Sequence, residues 1–219
     1  YGGHIFPLWN ASVRGRRKAT NLAGWLTDWL SETYKTAVDP EEAFAYVYGV
    51  LSAPSYTRRF RAELAESFPR VPFPRSRETF QRMARYGQEL LALHTLEKRY
   101  PGDGSLRLQG EGDSLHAPSF DPTGKVVRFA SGMEVIGVSQ EMWDYEVSGY
   151  AVLRRWLEAR KDLPLTAGFV RELLDVSHAV RETVALSPRL DEILARILGG
   201  PLLKRPRDAA RPSRTAAKP

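Results

Sequence analysis

Three prolines within six residues constrain this 219-residue chain more than any other feature. The run Phe68-Pro69-Arg70-Val71-Pro72-Phe73-Pro74 excludes a regular helix, because each proline removes an N–H and its ring crowds the preceding turn. It excludes a central strand as well, since each proline takes a donor out of the ladder. What remains is a stiff, extended strap. Along it Val71 and Phe73 point the same way, which lets them dock into neighbouring helices and leaves Arg70 and Arg75 nearer solvent.

The residues on either side of the strap read as helices. Asp39-Pro40-Glu41-Glu42 is a helix start: Asp39 can accept from free N–H groups of the first turn, Pro40 lacks an N–H that nothing there needs, and the glutamates suit the positive end. Phe44, Val47, Tyr48 and Leu51 follow at helical spacing. Pro54 stops that helix, and Ser55 is positioned to cap a second one carrying Tyr56, Phe60 and Leu64 on one stripe. Beyond the strap, Phe80, Met83, Ala84, Gly87, Leu90, Leu91 and His94 predict a long helix from near Ser76, closed by Pro101 and Gly102.

These pieces, in this order, resemble a known family. Phe44-Ala45-Tyr46-Val47-Tyr48-Gly49-Val50-Leu51, then Pro54 and Tyr56, then the proline strap, then Phe80 and Gly87-Gln88-Glu89-Leu90 before Leu93-His94, are similar to the C-terminal specificity domain of type ISP restriction-modification enzymes. Trp143-Asp144-Tyr145 with Gly149-Tyr150 resembles a later landmark, with Ser148 where the family commonly has glycine. The resemblance covers roughly residues 1 to 200. It implies a target-recognition domain for double-stranded DNA, belonging to an adenine-specific DNA methyltransferase that in many cases also carries a nuclease and a translocase. S-adenosylmethionine is then the cofactor of the parent enzyme and not of this portion. The implied partners are duplex DNA and the methyltransferase domain of the same polypeptide.

Composition narrows the classes. A hydrophobic fraction of 42% is enough for a real core, and without cysteine there is neither a disulfide framework nor a cysteine-ligated zinc site, which fits a reducing cytoplasm. No apolar run reaches the length of a membrane span, so no membrane partner is expected. Of the formal charge of +6, a net +5 lies in residues 201–219, which are rich in Pro, Ala, Arg and Lys and read as a basic disordered tail. The densest basic spot elsewhere is Arg14, Arg16, Arg17 and Lys18, in a loop with Ser12, Gly15 and Asn21; phosphate contact is one reading and a solvated loop the other.

The expected fold class is α+β: a domain over 1–200 with a helical part over 20–100, a β-rich insert over 101–150 and C-terminal helices over 151–198. Ile5-Phe6-Pro7-Leu8-Trp9 reads as a short extended piece, and Asn21 to Tyr34 as an amphipathic helix. In the insert, Lys125–Phe129 and Met133–Val138 alternate as strands, and Asp121-Pro122-Thr123-Gly124 is a turn. This insert carries Arg107, Lys125 and Arg128 among eight acidic residues. Acids can aim arginines at guanine edges, or accept from cytosine amino groups. Val152, Leu153, Trp156 and Leu157 then predict a helix, Gly168–Leu186 another, and Asp191–Leu198 a last short one.

Catalytic chemistry is not legible. The chain has no Pro-Pro, which excludes the Asp/Asn-Pro-Pro-aromatic loop of an adenine methyltransferase, and no phosphate-cradling Gly-Lys-Ser/Thr pattern. Four histidines, His4, His94, His116 and His178, lack any paired ligand spacing, so no metal site is assigned. Asp144 and Glu146 flank Tyr145 as a carboxylate pair, for which a structural hydrogen bond is the better reading. The candidate DNA-contacting residues are therefore Arg14, Arg16, Arg17, Lys18, Arg70, Arg75, Arg107, Lys125 and Arg128, and no catalytic residue is assigned. A helical scaffold for protein contacts, or an unrecognised hydrolase, would use the same amphipathic helices differently.

Overall fold

The computed structural model of the chain describes residues 7–10, 19–204 and 206. The fold is α+β, with a small antiparallel sheet lying between helical stretches of the chain. Two compact units emerge, the first Tyr1–Gln88 with Leu190–Pro219 and the second Glu89–Arg189.

The first unit contains α1 (Leu26–Tyr34), α2 (Pro40–Ser52), α3 (Pro54–Arg59), α4 (Arg61–Glu66), most of α5 (Arg77–His94) and the end of α8 (Ala167–Gly199). Helix α2 begins as its sequence dictates: the Asp39 carboxylate accepts from the Glu42 N–H at 2.7 Å, with Pro40 in the first turn. Helix α1 starts at Leu26, later than its periodicity predicts. The backbone before it is committed to an antiparallel contact, the Asn21 N–H donating to Leu8 O at 2.7 Å and the Asn10 N–H to Ala19 O at 2.9 Å. Ser55 does not cap α3. Ala53 takes that position, Pro54 opens the helix, and the Ser55 N–H is satisfied instead by Asp191 Oδ1 at 2.8 Å.

The strap is extended, and three tyrosines hold it. Tyr56, Tyr46 and Tyr34 donate their hydroxyl protons to the carbonyls of Arg70, Pro72 and Pro74, the first at 2.9 Å and the last at 2.7 Å. Alternation along an extended chain points these three carbonyls the same way, so helices α3, α2 and α1 each supply one donor to one edge. Burial pushes all three phenols up from their ordinary value, so they stay protonated and remain donors. On the opposite edge the Leu203 N–H donates to Phe73 O at 2.8 Å, and the Arg75 N–H to Pro201 O at 2.9 Å. Residues 201–203, assigned from sequence to the disordered tail, are thus paired with the strap, because its proline-free positions still offer hydrogen-bonding groups. Residues 205 and 207–219 of that tail lie outside the described residues. Phe73 is half-buried, stacked 5.1 Å from Tyr46 and edge-on 6.0 Å from Trp29.

Helices α2 and α5 meet through glycine. A methyl group on Gly87 would collide with the Ala45 carbonyl, and one on Gly49 would sit 2.8 Å from Met83 O, so the two backbones touch where no side chain intervenes. This approach lets Tyr46 stack on Phe80 at 4.5 Å and places both rings in the core.

The second unit carries β1 (Arg107–Gln109), β2 (Ser119–Asp121), β3 (Val126–Arg128) and β4 (Glu134–Ile136) in the order β1-β4-β3-β2, every pair antiparallel. Asp121 makes the turn expected between β2 and β3, its Oδ1 accepting from the Thr123 and Gly124 N–H groups at 3.0 and 3.1 Å. Val127 and Val135 lie in the core, with Leu108 and Phe120 packed against it. The unit continues through α6 (Gln140–Trp143), a hairpin of β5 (Glu146–Val147) and β6 (Tyr150–Ala151), α7 (Val152–Glu158) and most of α8. Ser148, at the hairpin turn, has φ 52°, the left-handed conformation that glycine enters at least cost.

Two helix ends differ from the sequence pattern. Helix α5 stops at His94 and not at Pro101: Leu96 turns left-handed (φ 57°) and the Lys98 N–H reaches back to Ala92 O at 2.9 Å. The segments read as Gly168–Leu186 and Asp191–Leu198 form one 33-residue helix, α8, which runs through Pro188. An interior proline costs about 3 kcal/mol. Buried Leu186, Leu190, Ile193 and Leu194 on both sides of it offset that cost.

Gly87→Ala is expected to destabilise the chain by about 3 kcal/mol or more, at or above the upper end for overpacking, because the clash is with backbone. Tyr46→Phe keeps the ring and leaves the Pro72 carbonyl without its donor, a loss of about 1–3 kcal/mol. Urea unfolding checks both. A glycine variant as stable as the parent would contradict the close approach of α2 and α5.

Candidate nucleic-acid interface

The alternation that sends Leu108, Phe120, Val127 and Val135 inward leaves a polar row on the other face of the sheet. Register places Gln109 beside Glu134, Glu134 beside Arg128 and Arg128 beside Ser119, while Arg107 and Asp121 occupy that face two residues along their strands. The row is joined by hydrogen bonds across all four strands. Arg128 donates from Nη1 to Asp121 Oδ2 at 2.8 Å and from Nε to Glu134 Oε1 at 2.9 Å. The other oxygen of Glu134 accepts from Gln109 Nε2 at 3.0 Å, and Arg107 Nε lies 3.4 Å from Gln109 Oε1.

Electrostatics follow from these contacts. The Arg128 hydrogen bond, then the turn N–H groups, hold the Asp121 carboxyl below the usual carboxylate range. Asp121 and Glu134 together raise the Arg128 guanidinium above its ordinary value, so the clamp is ionised at any physiological pH. Two arginines against two carboxylates give the row no net charge. Its hydrogen-bonding groups are nonetheless exposed, with Arg107, Gln109 and Arg128 all at the surface.

The candidate residues fall in different places. Arg14, Arg16, Arg17 and Lys18 lie outside the described residues. Arg70 and Arg75 are exposed on the strap of the first unit, their backbones held by Tyr56 and Pro201. Arg107 and Arg128 meet on the sheet face of the second. Lys125 is exposed at the end of the β2–β3 turn, with φ 52° and a carbonyl that accepts from the Gly137 and Val138 N–H groups. Sequence reasoning missed Gln109 and Glu134. Their only signal is alternation within three-residue strands, and for β1 that pattern is too short to distinguish from the surrounding Gly- and Asp-rich loops.

The histidines His94 and His178 and the pair Asp144 and Glu146 are engaged in hydrogen bonds within the second unit. Thr183 gives its hydroxyl proton to Ala179 O at 2.6 Å, so in the 2.9 Å contact with His94 the ring Nε2–H donates; desolvation lowers the His94 pKa and favours the neutral ring. His178 accepts at Nδ1 from Arg181, and Asp144 and Glu146 accept from Gln140 and Arg154. Among the described residues no cluster of His, Asp and Glu could hold a metal ion.

Comparison with known proteins decides the family. The model described as the type ISP C-terminal specificity domain matches residues 1–183. The chain belongs to that family. None of the curated proteins matches it. Among solved structures, the specificity domain is similar to part of DrdV in an electron cryo-microscopy complex with DNA, at 23% identity and TM-score 0.62 over 83% of this chain and 21% of that one. It is also similar to the type ISP restriction-modification enzyme LlaBIII bound to DNA (16% identity, TM-score 0.58, 85% of this chain and 13% of that one). A third likeness is to a nuclease-deletion mutant of LlaGI with a DNA substrate mimic (18% identity, TM-score 0.53, 70% and 14%). At these identities the likeness is one of fold. The chain spans about a fifth or less of the length of these proteins.

The clamp makes a direct prediction. Side-chain carboxyl NMR should show Asp121 titrating below ordinary aspartate, and Arg128→Ala should move that titration upward, because the cation stabilising the charged form is gone. An Asp121 titration unchanged by the substitution would mean that the ion pair is not formed in solution.

Proposed function

We propose that this specificity domain recognises duplex DNA for an adenine-specific methyltransferase or type ISP restriction-modification enzyme, positioning the target for a catalytic domain that is not in this chain. The observation that carries the reading is an exposed, hydrogen-bond-linked polar row on a four-stranded antiparallel sheet, in a domain of a specificity family. A major-groove edge is a pattern of donors and acceptors, and reading it requires side chains whose positions are fixed beforehand. Similarity of fold to DrdV, LlaBIII and LlaGI, each described in a DNA or DNA-mimic complex, supports the same reading.

Charge is distributed in accord with it. Counting every residue of the sequence, the first unit carries a net +9 and the second a net −3. Attraction to the phosphate backbone then belongs to the first unit and its basic stretches, and discrimination to the neutral row of the second. The methyl donor S-adenosylmethionine and the base-flipping chemistry belong in this reading to the methyltransferase domain, since the Pro-Pro loop and glycine-rich turn they require are not in this chain. The site of action in this reading is the cytoplasm, with whose reducing conditions a chain without cysteine is compatible.

Fluorescence anisotropy with labelled duplex tests the proposal. Binding should weaken linearly in log Kd against log salt, with a slope of about 0.9 per phosphate contacted. Arg17→Ala is expected to weaken all duplexes by a similar factor and to reduce that slope by about 1. Absence of duplex binding at low salt, or binding insensitive to salt, would contradict the reading.

A further inference from the structure

The polar row does not offer all of its members equally, and the hydrogen-bond inventory decides which are available. Arg128 is held at Nε and Nη1 by carboxylates on either side. With Nε and Nη1 both drawn to carboxylates, the Arg128 guanidinium is held in one orientation, and Nη2 is its one nitrogen without a hydrogen bond among the described residues. Glu134 is engaged at both oxygens, and Asp121 is engaged by Arg128 and the turn amides. Gln109 differs. A carboxylate only accepts, so the Gln109 nitrogen must face Glu134 and its oxygen must face Arg107; the amide orientation is fixed by chemistry. One N–H and one lone pair of that amide remain. Arg107 donates only from Nε, through the long 3.4 Å contact, and neither Nη makes a hydrogen bond or ion pair among the described residues.

Resting on the reading of this chain as a DNA target-recognition domain, we propose that Arg107 and Gln109 are its base-reading pair, Arg107 taking a guanine and Gln109 an adenine at neighbouring positions, while Arg128 is a positioning residue. The free Nη fork of Arg107 matches the O6 and N7 acceptors of guanine. The remaining amide edge of Gln109, one donor beside one acceptor, matches N7 and the N6 amino group of adenine. The relay Asp121–Arg128–Glu134–Gln109 fixes the amide, and the amide steadies Arg107. This assigns the acidic residues of the insert a purpose compatible with DNA: they hold readers in place, and their charge is cancelled within the row.

Selection of bound duplexes from a randomised library, using the full chain, tests the proposal. The parent is expected to enrich a motif containing guanine and adenine at neighbouring positions. Arg107→Ala should lose the guanine preference alone and Gln109→Leu the adenine preference alone, each by roughly 5- to 150-fold, the discrimination of a good bidentate contact. Arg128→Ala should weaken both preferences together and create no loss at a third position. All three residues are exposed, so melting temperatures should stay close to the parent's and exclude misfolding as the cause. A motif that Arg107→Ala and Gln109→Leu leave intact overturns the proposal, as does an Arg128→Ala variant that loses one separate guanine. A parent that enriches no sequence while binding duplex overturns the base-reading role; a parent that binds no duplex overturns the function on which it rests.

Discussion

The first unit depends on how an extended proline-rich segment can be buried at all. A strap with prolines at 69, 72 and 74 cannot join a sheet on both sides, yet its carbonyls still need donors once water is excluded. Tyrosine meets that need from a helix surface, because its ring belongs in a core and its hydroxyl reaches beyond it. Three tyrosines on three successive helices meet alternate carbonyls of one strap edge. The positions of α1, α2 and α3 are thereby tied to a single stiff template, and the glycine contact between α2 and α5 brings Phe80 under the same aromatic cluster.

Much of this was legible in the sequence. The strap, the Asp39 helix start and the Asp121 turn all rest on proline geometry or on side chains bonding to adjacent backbone, which are local effects. What could not be read depends on partners distant in the chain. Ser55 has a capping residue's chemistry, but Asp191 satisfies its N–H and Pro54 already starts the helix. Pro188 signals a helix break locally, and the buried leucines around it override the signal. The pairing of 201–203 with the strap needs two segments more than a hundred residues apart. At the candidate interface the arginines were visible as charges. Their different hydrogen bonding depends on the register that sets Gln109 beside Glu134, which charge alone does not disclose.

In the proposed reading the chemistry of the two units is complementary. Long cations in a basic region attract any duplex, and screening by salt weakens that attraction for all sequences alike. A neutral, internally bonded row contributes little attraction, but its donors and acceptors have fixed directions, which is what discrimination between base pairs requires. An acidic insert in a DNA-recognition domain is thus consistent with recognition when its carboxylates are engaged with the arginines and amides beside them.

The central claim is that the exposed polar row of the β1-β4-β3-β2 sheet is the surface that meets base edges. Photo-cross-linking with duplexes carrying 5-iodouracil in place of single thymines, followed by mass spectrometry of the linked peptides, locates that surface directly. The account predicts that cross-links from within the bound sequence fall on peptides spanning residues 107–109 and 119–136, and that linkage from flanking positions does not. Cross-links from within the bound sequence confined to the strap or to other peptides of the first unit, with none on the sheet, would contradict it.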